Sequence, residues 1–273
     1  MRILLLGGRG MLGQELQSVF ADHVVIPWDM AELDITQREM MLEKISEQKP
    51  DAIINAAAYT AVDQCESQEE LATRVNGDAV GYLAEAAKTL GIPIVHYSTD
   101  YVFSGDFSLG YSEDAPRKPL NAYGRSKATG EEHLERSGAK YYLVRTSWLY
   151  GKRGKNFVDT MLRLADEKKE LRVVNDQHGK PTYAVDLARA TKELLTTPRP
   201  FGTYHVTNEG ETTWYDFAVR ILQLAGKQTA VVPVSSKEFP TPAKRPTYSS
   251  LINTKLPPIR RWEEALSEYL SSR

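Results

Sequence analysis

Residues 1–13 read MRILLLGGRGMLG, a short apolar run that leads directly into a cluster of glycines. Gly7, Gly10 and Gly13 are spaced three residues apart where the run ends and a helical pattern begins. Glycine at such a turn permits positive φ and lets the backbone approach a pyrophosphate, which the N-terminus of the following helix attracts. The spacing has weight only when a strand precedes it and a helix follows, as they do here. The stretch therefore predicts a dinucleotide site.

The segments that follow repeat the order strand then helix through the first half of the chain. Apolar runs with the length of strands buried on both faces lie at residues 3–6, 24–28, 52–54, 92–97 and 141–144. Helical patterns separate them, at residues 11–20, 36–48, 69–90 and 121–136. Because strand–helix–strand crossovers are right-handed, this order predicts an α/β fold with a doubly wound parallel sheet of the Rossmann type.

Beyond residue 147 the alternation loosens, which indicates a second, smaller α/β unit. Residues 171–174 and 203–207 are expected strands, whereas residues 233–258, with six prolines, are expected loops. Further helices are expected at residues 156–166, 184–195, 213–224 and 262–270. We predict a dinucleotide-binding domain over residues 1–147, which residues 182–207 rejoin. Residues 148–273 would form mainly a substrate domain.

The composition is that of an ordinary globular protein. Hydrophobic residues make up 41% and charged residues 26%, with a formal net charge of -2, so no nucleic acid or membrane partner is expected. The single cysteine, Cys65, excludes an internal disulfide framework and favours a reducing compartment. No apolar run has the length of a signal peptide or a membrane span, and we therefore expect a cytoplasmic location.

Charged residues near the glycine loop give opposite indications about the cofactor. Asp29 follows the second strand at the distance of an acid that holds the adenosine ribose, which favours NADH. Arg9, inside the loop, favours NADPH because a guanidinium pairs with a 2′-phosphate. Asp34 is either a further cofactor contact or a cap of the next helix. The sequence leaves NADPH and NADH both open. Other candidate cofactor contacts are Met11, Leu12 and Ile35.

Tyr123 and Lys127 lie four residues apart on an expected helix and so share one of its faces. A neighbouring ammonium favours the phenolate and would bring the pKa of the tyrosine, ordinarily near 10, towards general acid–base work. The lysine is also within reach of a nicotinamide ribose. Thr99 follows an apolar strand, at the end where parallel sheets bind ligands. Its hydroxyl is a candidate partner for a substrate carbonyl oxygen.

These motifs resemble the extended short-chain dehydrogenase/reductase family, and within it the reductases of dTDP-linked keto sugars. The resemblance covers nearly the whole chain. Its most specific parts are NAAAYTAVD at residues 55–63, HYSTDYVF at 96–103, YGRSK at 123–127 and RTSWLYG at 145–151. It continues at residues 156–157, 175–177, 181–182, 213–215 and 243–246.

The resemblance implies reduction of a dTDP-linked 4-keto-6-deoxyhexose at C4, giving dTDP-L-rhamnose, with Tyr123 as proton donor, Lys127 as its partner and Thr99 as the hydroxyl that tunes proton transfer. The implied contacts to the sugar nucleotide are Thr99, Asp100 and Trp148. The implied contacts to the cofactor are Ala58, Tyr59, Thr60 and Tyr97. Arg245 is a candidate phosphate ligand, because guanidinium suits bidentate binding of phosphate, or else a partner in a loop salt bridge.

One departure concerns oligomerisation. Some members of the family form a magnesium-bridged dimer through acidic side chains, and Glu15 fits one such position. Val185 occupies the position of the partner acid, and Asp186 is rotated from it by about 100° on a helix of 3.6 residues per turn. We therefore expect no bound metal, and either a monomer or a weak homodimer.

Two alternative functions stay open at this point. A sugar-nucleotide epimerase or dehydratase shares the fold, but Tyr101 stands where a dehydratase would carry a second acid. A non-catalytic subunit similar to the regulatory subunit of methionine adenosyltransferase would not need Thr99, Tyr123 and Lys127, which are all present.

Overall fold

The computed structural model describes all 273 residues. The strands are β1 (Arg2–Leu6), β2 (Val24–Trp28), β3 (Ala52–Asn55), β4 (Ile94–Thr99), β5 (Tyr141–Thr146), β6 (Leu149–Tyr150), β7 (Glu170–Val174), β8 (His178–Gly179), β9 (Thr182–Tyr183), β10 (Gly202–His205), β11 (Thr212–Thr213) and β12 (Ala230–Val234). The helices are α1 (Met11–Val19), α2 (Arg38–Gln48), α3 (Val62–Cys65), α4 (Glu69–Thr73), α5 (Ala79–Leu90), α6 (Ala122–Arg136), α7 (Phe157–Glu167), α8 (Ala184–Thr196), α9 (Trp214–Leu224) and α10 (Trp262–Ser271).

Six strands form one parallel sheet in the order β10-β5-β4-β3-β1-β2. The doubly wound α/β fold and the five strands expected in the first half are thus confirmed. β1 lies between β2 and β3, so the direction of winding reverses beside it. In open α/β sheets, ligands bind in the crevice outside the carboxyl ends of the strands at such a reversal.

Both faces of this sheet are covered, which explains the continuous apolar runs. Successive side chains of a strand point to opposite faces. Leu4 and Leu6 accordingly pack into one core, with α2 and α5, and Ile3 and Leu5 pack into the other, with α1 and α8. A strand that is buried on both faces carries apolar side chains at successive positions, so its sequence does not alternate between apolar and polar residues.

Two expected helices have different limits. The helix expected from residue 36 begins at Arg38, because the amide and hydroxyl of Thr36 both donate to the carboxylate of Asp34, at 2.9 and 2.8 Å. The helix expected at residues 69–90 is divided by a π-helical turn, Arg74–Asp78, between α4 and α5. Such turns often occur at functional sites.

The second half of the chain forms small sheets and a third hydrophobic core. β6 pairs with β9, β7 with β12, and β8 with β11, and α7, α9 and α10 pack around them. β10 returns to the main sheet beside β5. Residues 235–258 are loops apart from isolated bridges, but β12 extends to Val234, inside the region expected to be loop. The domain boundaries given above, residues 1–147 with 182–207 and residues 148–273, remain predictions. None of the helices combines the length and the apolar character needed to span a bilayer.

Candidate functional site

The glycine loop forms one wall of a cleft beside the carboxyl end of β1. Gly7 has φ of +76°, and a Cβ there would lie 2.7 Å from the carbonyl carbon of Ala56. A Cβ on Gly13 would lie 2.0 Å from the carbonyl oxygen of Gly7. Only glycine therefore permits this turn. It directs the N-terminus of α1, which carries no acidic residue in its first turn, towards the cleft, and this geometry suits a pyrophosphate.

The cleft has a volume of about 530 Å³. It brings together seven of the predicted cofactor contacts: Gly7, Gly10, Asp29, Asp34, Ile35, Ala58 and Tyr59. Lining residues that sequence reasoning missed include Trp28, Met30, Leu33, Leu71, Arg74 and Val75. The first three directly adjoin Asp29 or Asp34 or lie between them, so proximity in sequence could have found them. The last three come from α4 and the π-helical turn, where the sequence shows only a continuous helical pattern.

Arg9 lies at the rim of this cleft in contact with two acids. Its backbone N–H donates to Asp29 Oδ2 at 2.7 Å, and its guanidinium Nη2 donates to Glu32 Oε1 at 2.6 Å. The guanidinium Nε lies 3.9 Å from Asp29 Oδ2. The two residues with opposite indications about the cofactor are therefore neighbours, and Glu32 is a third member of the group that the sequence did not reveal.

Other predicted cofactor contacts do not line the cleft. Leu12 is buried in the core beneath α1. The phenol of Tyr97 bonds to Thr191 Oγ1 at 2.7 Å inside that same core, so its side chain is not part of the cleft lining, and its contact with the cofactor stays a prediction. Its backbone carbonyl instead accepts a hydrogen bond from Lys127. Gly13 does not line the cleft either; its lack of a side chain allows α1 to pack closely against the carbonyl oxygen of Gly7. Met11 and Thr60 are also absent from the lining.

Tyr123 and Lys127 share one face of α6, as predicted, but they affect each other less than expected. Lys127 is 3% exposed, and its Nζ donates to the carbonyl of Tyr97 at 2.9 Å. Burial lowers the pKa of Lys127 to about 8, while the charge of Glu131 opposes this shift. The pKa of Tyr123 is raised by desolvation and by the charge of Asp100, so the predicted lowering by Lys127 is wrong. The phenol stays protonated at neutral pH.

Thr99 and Asp100 lie where β4 turns into a short 3₁₀ turn. Thr99 Oγ1 donates to Asp100 Oδ1 at 2.9 Å and accepts from the amide of Tyr101 at 3.1 Å. Asp100 is 2% exposed, and its Oδ2 has no hydrogen-bond partner. Burial raises the pKa of Asp100 to about 6, against the opposing effect of the hydrogen bond from Thr99. A buried carboxylate oxygen without a partner is available to a ligand hydroxyl.

Asn76, in the π-helical turn, fixes the loop that carries Tyr59. Its Oδ1 accepts from the amide of Tyr59, and its Nδ2 donates to the carbonyl of Tyr59, both at 2.9 Å. The same Nδ2 donates to Ser126 Oγ at 3.0 Å. Asn76 therefore joins the wall of the cofactor cleft to the helix that carries Tyr123 and Lys127.

A second cleft, of about 670 Å³, is lined mainly by α7 and β7, with Tyr101 beyond the end of β4 and residues of the C-terminal loops completing it. Its wall includes Trp214, whose ring stacks on Trp148 with a centroid distance of 3.6 Å. Trp148 has φ of +47°, a strained conformation for a bulky residue, and such strain persists mainly at functional sites. Lys168, Arg172 and Arg245 also line the cleft.

Arg245 forms a salt bridge with Asp63. Its two terminal nitrogens lie 2.5 and 3.0 Å from the two carboxylate oxygens of Asp63, which also accepts the amide of Ala243. The salt-bridge alternative for Arg245 therefore describes this structure, although the side chain still lines the second cleft. The contact attaches the loop of Arg245 to the segment after β3.

Tyr123 lies between the two clefts. Tyr59, from the first cleft, and Tyr123 pack against the same small buried cluster around Cys65. Tyr101, from the second cleft, meets the ring of Tyr123 edge-on at a centroid distance of 6.0 Å. Tyr123 therefore contacts residues near both clefts, although it does not itself line either of them.

Two of the residues considered for a metal bridge, Asp186 and Val185, have other contacts. Asp186 is 5% exposed, and its carboxylate accepts from Arg260 through two nitrogens, at 2.8 and 3.0 Å, and from Asn208 at 2.8 Å. Val185 packs against the third core.

Comparison with known proteins adds four similarities. Residues 1–273 match the family described as the RmlD substrate binding domain. The chain is 41% identical to the spore coat polysaccharide biosynthesis protein SpsK of Bacillus subtilis, over 100% of this chain and 98% of that protein. The crystal structure of a dTDP-4-dehydrorhamnose reductase from Bacillus anthracis in complex with NADP has a TM-score of 0.96 and 40% identity, covering 100% of this chain and 99% of that one. A Clostridium acetobutylicum dTDP-4-dehydrorhamnose reductase gives a TM-score of 0.97 and 44% identity with the same coverage.

Proposed function

Because this chain belongs to the RmlD family of dTDP-4-dehydrorhamnose reductases, we propose that it reduces dTDP-4-dehydro-L-rhamnose at C4 to dTDP-L-rhamnose, with NADPH or NADH as the reductant. The observation that carries the proposal is the position of a protonated Tyr123 between two clefts. One cleft has the glycine turn of a dinucleotide site, and the other is lined by the three basic residues Lys168, Arg172 and Arg245 together with the acidic Glu170.

The nicotinamide, when bound, supplies the hydride. Tyr123 protonates the alkoxide oxygen that forms at C4, for which a phenol that is neutral at working pH is the required state. Lys127 stays mostly charged near pH 7, because burial lowers its pKa only to about 8, and it would hydrogen-bond the nicotinamide ribose. The hydroxyl of Thr99, which donates to Asp100 Oδ1 in this structure, would turn to donate to the same carbonyl oxygen when substrate binds, and so fix the position of that oxygen.

The second cleft would hold the sugar nucleotide. Lys168 and Arg172 on its wall suit a diphosphate, and Arg245 would join them by sharing its charge between Asp63 and a phosphate oxygen. The unpartnered Oδ2 of Asp100 would accept a sugar hydroxyl, and Trp148 would pack against the sugar ring. We propose these roles from the positions of the side chains and from the chemical groups that they carry.

The pathway, the location and the oligomeric state of the protein are also proposals. The product would enter synthesis of a cell-surface polysaccharide, as the name of the Bacillus subtilis relative suggests. We further propose a cytoplasmic monomer or weak homodimer that binds neither nucleic acid nor membrane. The near-neutral net charge of -2 supports this.

The test is a stoichiometric assay with enzymatically prepared dTDP-4-dehydro-L-rhamnose. One NADPH should be oxidised for each sugar converted, and the product should be dTDP-L-rhamnose by mass spectrometry and NMR. dTDP-glucose should not react, because it has no carbonyl at C4 to receive hydride. Conversion of dTDP-glucose to a keto sugar with catalytic NAD⁺ would instead identify a dehydratase. Absence of turnover with every keto sugar, despite cofactor binding, would favour the regulatory-subunit alternative.

A further inference from the structure

The group at the rim of the cofactor cleft contains one cation and two acids. Arg9 pairs with Glu32 at 2.6 Å, and the other oxygen of Glu32 accepts the amide of Asp29 at 2.9 Å. Lys44 Nζ also donates to the backbone carbonyl of Glu32, at 2.8 Å. Glu32 is thus held on two sides, whereas the side chain of Arg9 is 69% exposed and makes its only close polar contacts with Glu32 and Asp29.

NADPH and NADH differ only in the 2′-phosphate of the adenosine ribose, and the acid after the second strand marks the position of that ribose. Asp29 lines the cleft there. A phosphate at this position carries between one and two negative charges near neutral pH. To bind it, the guanidinium of Arg9 must leave Glu32, with which it pairs at 2.6 Å.

We propose that Glu32 is a specificity-determining residue, which restrains the binding of NADPH by pairing with Arg9 and so withholding the guanidinium from the 2′-phosphate. The inference rests on the proposed function only in requiring a nicotinamide dinucleotide in the first cleft. It explains how Asp29 and Arg9 coexist, because Glu32 sets how much of the charge of Arg9 is available to the cofactor.

Neighbouring groups do not offer the same control. The carboxylate of Asp29 is occupied by the backbone amide of Arg9, and that of Asp34 by Thr36. Arg74, an exposed arginine that lines the cleft, forms none of the salt bridges in the structure. Arg74 would attract the phosphates common to both cofactors, and it therefore does not distinguish one cofactor from the other.

The experiment measures dissociation constants of NADPH and NADH by nucleotide fluorescence, in the absence of sugar and at low ionic strength. Glu32→Gln removes the charge of Glu32 but keeps an acceptor for the amide of Asp29. NADPH should bind about two- to fivefold more tightly, the range of one exposed ion pair, while NADH changes less than twofold. The matched control is Glu39→Gln, which loses the same charge from a side chain that is 88% exposed on α2. It should leave both constants unchanged.

Arg9→Ala and the double variant Arg9→Ala/Glu32→Gln test the mechanism. Without Arg9, the change at Glu32 should give no gain for NADPH. Persistence of the gain, or equal tightening of NADH, would overturn the proposal, since simple repulsion or another cation such as Arg74 would then be responsible. Because no sugar is present, a wild type that binds both cofactors but reduces no keto sugar refutes only the proposed function. A wild type that binds neither cofactor refutes both proposals.

Discussion

The surroundings of Tyr123 favour a protonated phenol, which can donate a proton to substrate. Desolvation and the nearby charge of Asp100 raise its pKa, so the phenol is neutral and can donate. Tyr123→Phe keeps the ring but removes the proton, and kcat should fall about 10²–10⁴-fold, the usual contribution of a general acid. Cofactor affinity should change little. Tyr82→Phe, on α5 and outside both clefts, is the control. A kcat for Tyr123→Phe within threefold of wild type would contradict the assignment.

Asp100 is expected to cost stability in exchange for its place in the site. Its pKa rises from 3.8 to about 6 in the folded protein, so the folded state binds the proton more tightly than the unfolded state. The destabilising effect of Asp100 is therefore absent at low pH, develops as pH rises from about 4 to about 6, and is fully present above that range.

Asp100→Asn removes this titration and should weaken sugar-nucleotide binding more than it slows chemistry. The unfolding free energy of the variant relative to wild type should increase by about 1 kcal/mol between pH 5 and pH 8. Urea unfolding at the two pH values measures it. A difference that is independent of pH would show that Asp100 titrates normally.

Among the elements, the π-helical turn couples the two halves of the site. Asn76→Ala would leave the amide and carbonyl of Tyr59 without their partners, which should lower the free energy of unfolding by about 1–3 kcal/mol. Binding of NADPH should also weaken, because the Tyr59 loop loses its attachment. Asn175→Ala, at an exposed position, is the control and should have little effect. Unchanged cofactor affinity in Asn76→Ala would show that the turn is only a packing feature.

The sequence indicates the elements better than it indicates the contacts between them. Strand and helix periodicity is local, and it predicted the sheet and the position of the glycine turn. The division of the helix at residues 69–90 was missed because a π-turn leaves the apolar pattern nearly continuous. The pairing of Arg9 with Glu32 and of Asp63 with Arg245 depends on tertiary placement, which spacing does not encode. The same limit explains Tyr97, whose motif position predicted the cleft although its side chain enters the core.

At the scale of the whole molecule, we expect no magnesium-dependent assembly. Asp186 accepts three hydrogen bonds from Arg260 and Asn208 and is nearly inaccessible, and Val185 offers no oxygen ligand. Sedimentation velocity with magnesium and with a chelator should give the same species. A dimer that dissociates only on chelation would contradict this.

The attachment of the Arg245 loop also affects the order in which the two clefts are completed during translation. Asp63 and Arg245 are separated by 182 residues, and Asn121 and Lys244, which are joined by another hydrogen bond, by 123. Translation delivers the first member of each pair long before the second. A nascent chain that already carries the glycine turn, Thr99 and Tyr123 therefore still lacks the loop that completes the second cleft. Since N-terminal parts generally fold first, we expect the dinucleotide to be available as a stabilising ligand while the sugar site is still being synthesised.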